Sequence, residues 1–201
     1  NVISKKNIIG LNITYPYKEE ILKFINFLDN DAKEIQAVNT IFIDKIKSKI
    51  TGYNTDWIGF YQSLDNFLPK KYFKALVLGS GGGSKAICYA LKKKGITYKV
   101  ISRNPKKNMI SYKDSDCLIE EYKLIINTTL LGSGLHEDKF PKINYNLISN
   151  NHFIYDLAYN PKETLFLKKT KKMGALTKNG YEMLKIQANK SFEIWKNKLE
   201  L

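Results

Sequence analysis

The chain has 201 residues, 43% of them apolar, and a formal net charge of +14. That apolar share is enough for one large core or two small ones, while no run approaches the ~18 consecutive apolar residues that would span a bilayer. The opening Asn1-Val2-Ile3-Ser4-Lys5-Lys6 lacks the layout of a signal peptide, so a soluble cytoplasmic enzyme is the expected class.

The positive charge is scattered in short runs such as Lys92-Lys93-Lys94, without an arginine-rich arm or an RNA-binding aromatic signature. It argues for solvated basic faces that favour anionic ligands, and against a nucleic-acid partner. Cys88 and Cys117 sit in no paired motif, and His136 and His152 form no ligand pattern with them. Neither a disulfide framework nor a metal site is expected. Cys88 reads as a small buried hydrophobe, and the histidines as ordinary core or surface residues.

In chain order, Ile8 to Thr14 reads as a buried strand that ends before Pro16 and delivers Asn12 and Thr14 to its tip. Tyr17 to Leu28 carries Ile21, Leu22, Ile25 and Leu28 at helical spacing, with Glu19 and Glu20 at the acid-favouring start. Val38 to Ile43 and Ser48 to Tyr53 flank Asp44-Lys45-Ile46-Lys47 as a β-hairpin. The hairpin would bring Asn39 and Asp56 to one end of a sheet. A lysine at 18 beside a carboxylate at 56 is an arrangement suited to general acid and base work.

Trp57, Phe60, Leu64 and Phe67 mark a helix ending before Pro69, which is read as a link between two domains. Beyond it the pattern alternates. Ala75 to Leu78, Tyr98 to Ile101, Leu124 to Ile126 and Phe153 to Asp156 read as strands, and Ser84 to Lys93 as a helix. Alternation of this kind implies a parallel sheet with helices on its faces, an α/β fold of doubly wound type.

Gly79-Ser80-Gly81-Gly82-Gly83-Ser84 lies where a strand turns into a helix, so its backbone N–H groups can meet a pyrophosphate at the helix start. The following strand ends at Ser102-Arg103, with no acid there for a ribose hydroxyl. Arginine accommodates a 2′-phosphate, so NADP is the expected cofactor. Lys106 and Lys107 could reinforce the site, and Asn127-Thr128-Thr129 is placed to line the cofactor groove.

These motifs together resemble the shikimate dehydrogenase family. The resemblance rests on Asn12-Ile13-Thr14-Tyr15-Pro16-Tyr17-Lys18, Ala37-Val38-Asn39-Thr40, Gly52-Tyr53-Asn54-Thr55-Asp56, the glycine loop, Ser102-Arg103, Tyr155-Asp156-Leu157-Ala158-Tyr159-Asn160-Pro161, and Asn179-Gly180-Tyr181-Glu182-Met183-Leu184-Lys185-Ile186-Gln187-Ala188. It implies NADPH-dependent reduction of 3-dehydroshikimate to shikimate by a catalytic pair, Lys18 and Asp56. Asn12, Thr14, Asn39 and Gln187 would contact substrate hydroxyls, and Tyr159 and Gly180 would lie on the nicotinamide side.

The implied fold is two α/β domains around a cleft, in a monomer or homodimer. Residues 1–56 and 179–201 would bind substrate, and 57–178 would form a Rossmann-type NADP-binding domain. The final helix, from about Asn179 to Leu199, would return to the first domain, with Phe192 and Trp195 read as core residues. The family's Ser-x-Ser segment, which holds the substrate carboxylate, is not in these residues, so the resemblance implies either that it precedes Asn1 or that this is a naturally shortened relative with impaired substrate binding. Ser102 stands where the family usually has asparagine, and Leu130-Leu131 where a serine-containing segment is commoner. The alternatives are a quinate/shikimate dehydrogenase using NAD, and a non-catalytic nucleotide-binding relative or domain of an aromatic-pathway fusion.

Overall fold

Strands β3 (Thr40–Asp44) and β4 (Lys49–Tyr53) form the expected antiparallel hairpin, with Thr40 opposite Tyr53 and Asp44 opposite Lys49. Asp44 closes the turn by accepting a hydrogen bond from the backbone of Lys47 at 3.0 Å. The structure is a computed structural model that describes residues 8–69 and 74–199. Strand β1 (Gly10–Asn12) pairs with β3, and β2 (Phe27–Leu28) pairs in parallel with β4, giving a four-stranded sheet in the order β1-β3-β4-β2.

Two readings of this region need correction. Over 8–14 the strand is only three residues long and leaves Asn12 exposed, because among the described residues β1 is an edge strand with a partner on one side alone. The helix expected over Tyr17–Leu28 is a short 3₁₀ turn, Glu20–Phe24, followed by β2. Asn26 explains the switch. Its N–H donates to the Ile50 carbonyl at 3.0 Å while its Oδ1 accepts from the Ile50 N–H at 2.8 Å, drawing the chain into the sheet. Ile21, Leu22, Ile25 and Leu28 still reach one core with Val38, Ile41 and Ile43, so the apolar spacing served burial without a full helix. Helix α1 (Asn30–Ile35) follows, capped by Asp29, whose side chain accepts from the Ala32 N–H.

Helix α2 (Asp56–Asp65) leads to the second sheet. This comprises β5 (Lys74–Leu78), β6 (Thr97–Ser102), β7 (Met109–Ser111), β8 (Leu124–Asn127), β9 (Phe153–Asp156) and β10 (Leu176–Asn179). All its pairings are parallel, in the order β10-β9-β8-β5-β6-β7. The chain winds outward in both directions from β5 and β8, and such a reversal leaves a ligand-binding crevice at the carboxyl ends of those strands. Helices α3 (Gly82–Lys93), α4 (Asp116–Ile119), α5 (Leu165–Lys172) and α6 (Tyr181–Leu199) complete the fold. The edge strands β7 and β10 went unpredicted.

Phe60 and Leu64 of α2 pack with Ala75, Val77, Ile87, Leu124, Tyr155 and Met183 in the core of the six-stranded sheet. Helix α6 crosses to the other sheet, where Trp195 Nε1 donates to the Ile41 carbonyl at 2.9 Å. Phe192, expected in the core, is instead 62% exposed. It follows Ser191, which faces inward, and one residue turns a helix by about 100°. At the crossing of α2 and α6, a Cβ on Gly59 would lie 2.7 Å from the Met183 carbonyl oxygen, so only glycine permits this approach.

His152 is buried, with Nδ1 accepting from the Ser149 N–H at 3.0 Å and Nε2 facing the Ile119 carbonyl at 2.9 Å. It pins the entry to β9 and is structural. Burial pushes the Cys88 thiol up to about 11, which leaves it unreactive. Among the described residues both cysteines are free, no helix is long and apolar enough to cross a membrane, and no cluster of metal-ligating side chains occurs.

Asp156, at the end of β9, is fully buried and accepts from Asn127 Nδ2 (2.9 Å), the Ala158 N–H (3.1 Å) and Thr164 Oγ1 (2.6 Å). Burial outweighs these three bonds and raises its pKa to about 6. A carboxyl that holds its proton more tightly when folded favours the fold most below its unfolded pKa, and that contribution is lost as pH rises through about 6. Asp156→Asn should therefore flatten this part of the profile. Urea unfolding between about pH 4 and pH 7 should show wild type losing stability relative to the variant as pH rises, and parallel profiles would contradict the assignment.

Candidate active site

Lys18 follows the Pro16 turn, and its carbonyl accepts from the Val38 N–H at 2.8 Å, which ties it to the strand leading into β3. Asp56 is the first residue of α2, where the helix dipole favours a carboxylate. Their side chains meet, with Lys18 Nζ 2.6 Å from Asp56 Oδ2 and side-chain exposures of 22% and 8%. Exposed pairs of this kind contribute little to stability. The low exposure of Asp56 and its second partner set this one apart. Asn39 Nδ2 donates to Asp56 Oδ1 at 3.0 Å, so both carboxylate oxygens are held and one directs the ammonium.

Asn39 is itself fixed. Its Oδ1 accepts from the Thr55 N–H at 2.6 Å, and its Nδ2 also faces Thr55 Oγ1 (2.9 Å) and Gln187 Oε1 (3.2 Å). Gln187, on α6, thus joins the same cluster. Asn12 reaches it from β1 through Nδ2, which donates to the Asn39 carbonyl (3.2 Å), Thr40 Oγ1 (3.1 Å) and Ser191 Oγ (3.0 Å). Thr14 is exposed at the rim, where its carbonyl accepts from the Tyr17 N–H. Five of the six residues read as catalytic or substrate-binding are therefore in one connected network, and Thr14 borders it.

Beside this network, β5 turns into α3 through the glycine loop. Gly79 has φ +112°, and a Cβ there would lie 2.7 Å from Thr128 Oγ1. Ser80 Oγ lies 3.0 Å from Ser102 Oγ, linking the loop to the end of β6, where Arg103 is exposed with Lys106 and Lys107 close behind in sequence. Around Gly81 nothing lies within 4 Å of a built Cβ, and Gly83 would touch only Leu157 Cδ2 at 3.9 Å. No acid occupies the first turn of α3. Open space at a helix start and a basic rim suit a phosphorylated dinucleotide.

Thr128 and Thr129 border this groove, but Asn127 does not line it. Its side chain is buried on Asp156, the Leu131 carbonyl (3.2 Å) and Thr129 Oγ1 (2.7 Å), so it shapes the loop from beneath. Gly180 opens α6 and donates to the Ala158 carbonyl at 3.0 Å; any Cβ there would collide with the Leu157 carbonyl. Tyr159, on the adjoining loop, is 47% exposed.

The shikimate dehydrogenase substrate binding domain family matches residues 1–41. A relative from Methanococcus aeolicus, shikimate dehydrogenase (NADP(+)), is 41% identical over 202 residues, covering 92% of this chain and 72% of that protein. The chain belongs to the shikimate dehydrogenase family. Shikimate dehydrogenase from Aquifex aeolicus superposes with a TM-score of 0.84 at 38% identity, covering 94% of this chain and 73% of that one. The Thermus thermophilus shikimate 5-dehydrogenase, solved with NADP(H) and shikimate, gives 0.82 at 28% identity, covering 96% and 74%.

In this member of the family the polar cluster extends beyond the residues expected from sequence. Thr40, Thr55 and Ser191 are fully buried at its centre. Ser191 Oγ lies 2.7 Å from Thr40 Oγ1 and 3.1 Å from Thr55 Oγ1, and donates to the Gln187 carbonyl at 3.0 Å. Thr40 and Thr55 adjoin Asn39 and Asp56, and that adjacency was the available signal. Ser191 lies four positions after Gln187 on one helix face, visible only once α6 is set against the sheet. Ser191→Ala would strip a partner from several buried polar groups, and should lower stability by about 1–3 kcal/mol in urea unfolding. A change within a few tenths of a kcal/mol would mean that the network re-forms without it.

Proposed function

We propose that this chain catalyses the NADPH-dependent, reversible reduction of 3-dehydroshikimate to shikimate, with Lys18 and Asp56 as its catalytic pair. The observation that carries this reading is the 2.6 Å Lys18–Asp56 pair, anchored through Asn39 and facing the glycine loop. When bound, NADPH supplies hydride to the substrate ketone. Lys18 holds the proton that the forming alkoxide takes up, and Asp56 keeps the lysine Nζ aimed. Asn12, Thr14, Asn39 and Gln187 orient the ring through its hydroxyls, while Ser191, Thr40 and Thr55 hold the side chains of Asn12, Asn39 and Gln187 from behind.

The glycine loop would hold the pyrophosphate, with Ser102, Arg103, Thr128 and Thr129 along the groove and Tyr159 and Gly180 at the nicotinamide end. Asn127 would support that groove without touching the cofactor. The same proposal divides the chain into a substrate domain, 1–56 with 179–201, and a cofactor domain, 57–178, acting in the cytoplasm as a monomer or homodimer.

Initial rates with shikimate or quinate, each with NADP or NAD, test this directly. The fastest rate is expected for shikimate with NADP, since Arg103 directly follows β6 and no acid stands there to meet a bare ribose hydroxyl. A faster rate for quinate with NAD would overturn the assignment of substrate and cofactor together.

A further inference from the structure

Helix α3 carries the start of the cofactor groove, and one of its faces is joined to the substrate side by a stripe of polar contacts. Lys85 Nζ meets Glu19 Oε2 at 2.5 Å and the Gln36 carbonyl at 3.3 Å. One turn later Tyr89 Oη donates to Asp31 Oδ1 at 2.5 Å, and a further turn on Lys92 pairs with Glu34 at 3.6 Å. Between them Ala86 and Tyr89 pack on Ile35 and Ala37. The spacing of 85, 89 and 92 is that of one helix face.

At the head of this stripe the two halves of the site touch. A Cβ on Gly82 would stand 3.0 Å from the Cβ of Lys18 and 3.6 Å from Cγ of Glu19. The position of α3 is therefore transmitted to Lys18 by direct contact. Lys85 is in the first turn of α3, where the helix dipole disfavours a cation, so its charge calls for a nearby anion. Glu19, the immediate neighbour of Lys18, supplies one.

We propose that Lys85 is a positioning residue: through Glu19 it fixes the start of the cofactor helix against Lys18, so that the proton source keeps its place relative to the groove. The consequence for turnover rests on the function proposed above, while the consequence for local structure does not. The pair is partly exposed, at 36% and 42%, so its effect is that of a surface ion pair.

The test compares wild type with Lys85→Met, Glu19→Gln, their double variant and the charge swap Glu19→Lys/Lys85→Glu. Hydrogen exchange without ligand should speed up about fivefold over 17–24 in each single variant, no further in the double, and return in the swap. With 3-dehydroshikimate, kcat should fall about fivefold in the same pattern, while the NADPH Kd from fluorescence titration stays within about twofold.

A tenfold or larger rise in NADPH Kd with kcat unchanged would overturn the proposal and make Lys85 a phosphate ligand instead. Additive losses, or no recovery in the swap, would overturn it as well. Were wild type inactive on 3-dehydroshikimate, the exchange pattern would still decide the positioning role while the functional reading failed.

Discussion

Replacing Lys18 with alanine should lower kcat by roughly 10²–10⁴-fold while leaving NADPH affinity unchanged, the loss expected when a placed general acid is removed. The reason lies in how the residue is held. Its main chain is tied down by the hydrogen bond from Val38, so truncation removes the ammonium without releasing the segment. Asp56, 5% exposed beside Lys18, is held independently by Asn39 and would remain in place without its cation. Lys18→Arg is the sharper control. It restores the charge beside Asp56, but a guanidinium does not give up a proton in proteins, so activity should stay low. Steady-state rates with an NADPH titration check both variants. Recovery of activity by arginine would reduce Lys18 to an electrostatic role, and an unchanged rate in the alanine variant would remove it from the mechanism.

Arg103→Ala should weaken NADPH by about 10–100-fold and leave NADH nearly unaffected, the size expected when a charge-assisted contact to a phosphate is lost. Arg103 is exposed at the end of β6, beside Ser102, whose hydroxyl faces Ser80 of the glycine loop and accepts from the Asn104 N–H at 3.2 Å. That bracing fixes the backbone from which the guanidinium projects. Lys106 and Lys107 are exposed in the same loop and supply point charges without a planar fork. Dissociation constants for both cofactors in wild type and variant decide the matter. Equal losses would argue against a 2′-phosphate contact, and a loss below about threefold for NADPH would shift the preference to the lysines.

The parts of the fold readable from sequence were those in which local pattern and tertiary context agree. The β3–β4 hairpin has apolar strands around a charged turn, and its closure places Asn39 beside Asp56. The glycine loop has a strand before it and a helix after it, and open space lies beside Gly81 and Gly83. Where one pattern fits two structures, tertiary context decides between them. Ile21, Leu22, Ile25 and Leu28 satisfy a helix and also a turn followed by a strand, and the choice was made by Asn26 bonding to Ile50 on a strand not yet in view.

The same holds for the site. Lys18, Asp56, Asn39, Asn12 and Gln187 stood out as polar residues in recognisable motifs, and they converge. Ser191 carries no local signal, since a serine in a lysine-rich helix is usually solvated, and its burial depends on α6 crossing to the first sheet. Asn127 was placed at the groove because its strand ends there. Its carboxamide turns inward because Asp156, buried on the adjacent strand, needs donors. Phe192 reads as a core residue by its apolarity, yet lies one residue away from the helix face that is buried.

The most direct test of the account is a single-turnover experiment in which excess enzyme is mixed with NADPH and 3-dehydroshikimate, for wild type and Lys18→Ala in parallel. Wild type should consume the nicotinamide absorbance in step with shikimate formation. The variant should bind NADPH equally well yet consume it at least about a hundredfold more slowly. Equal rates in the two proteins, or no consumption by wild type with NADPH bound, would contradict the account.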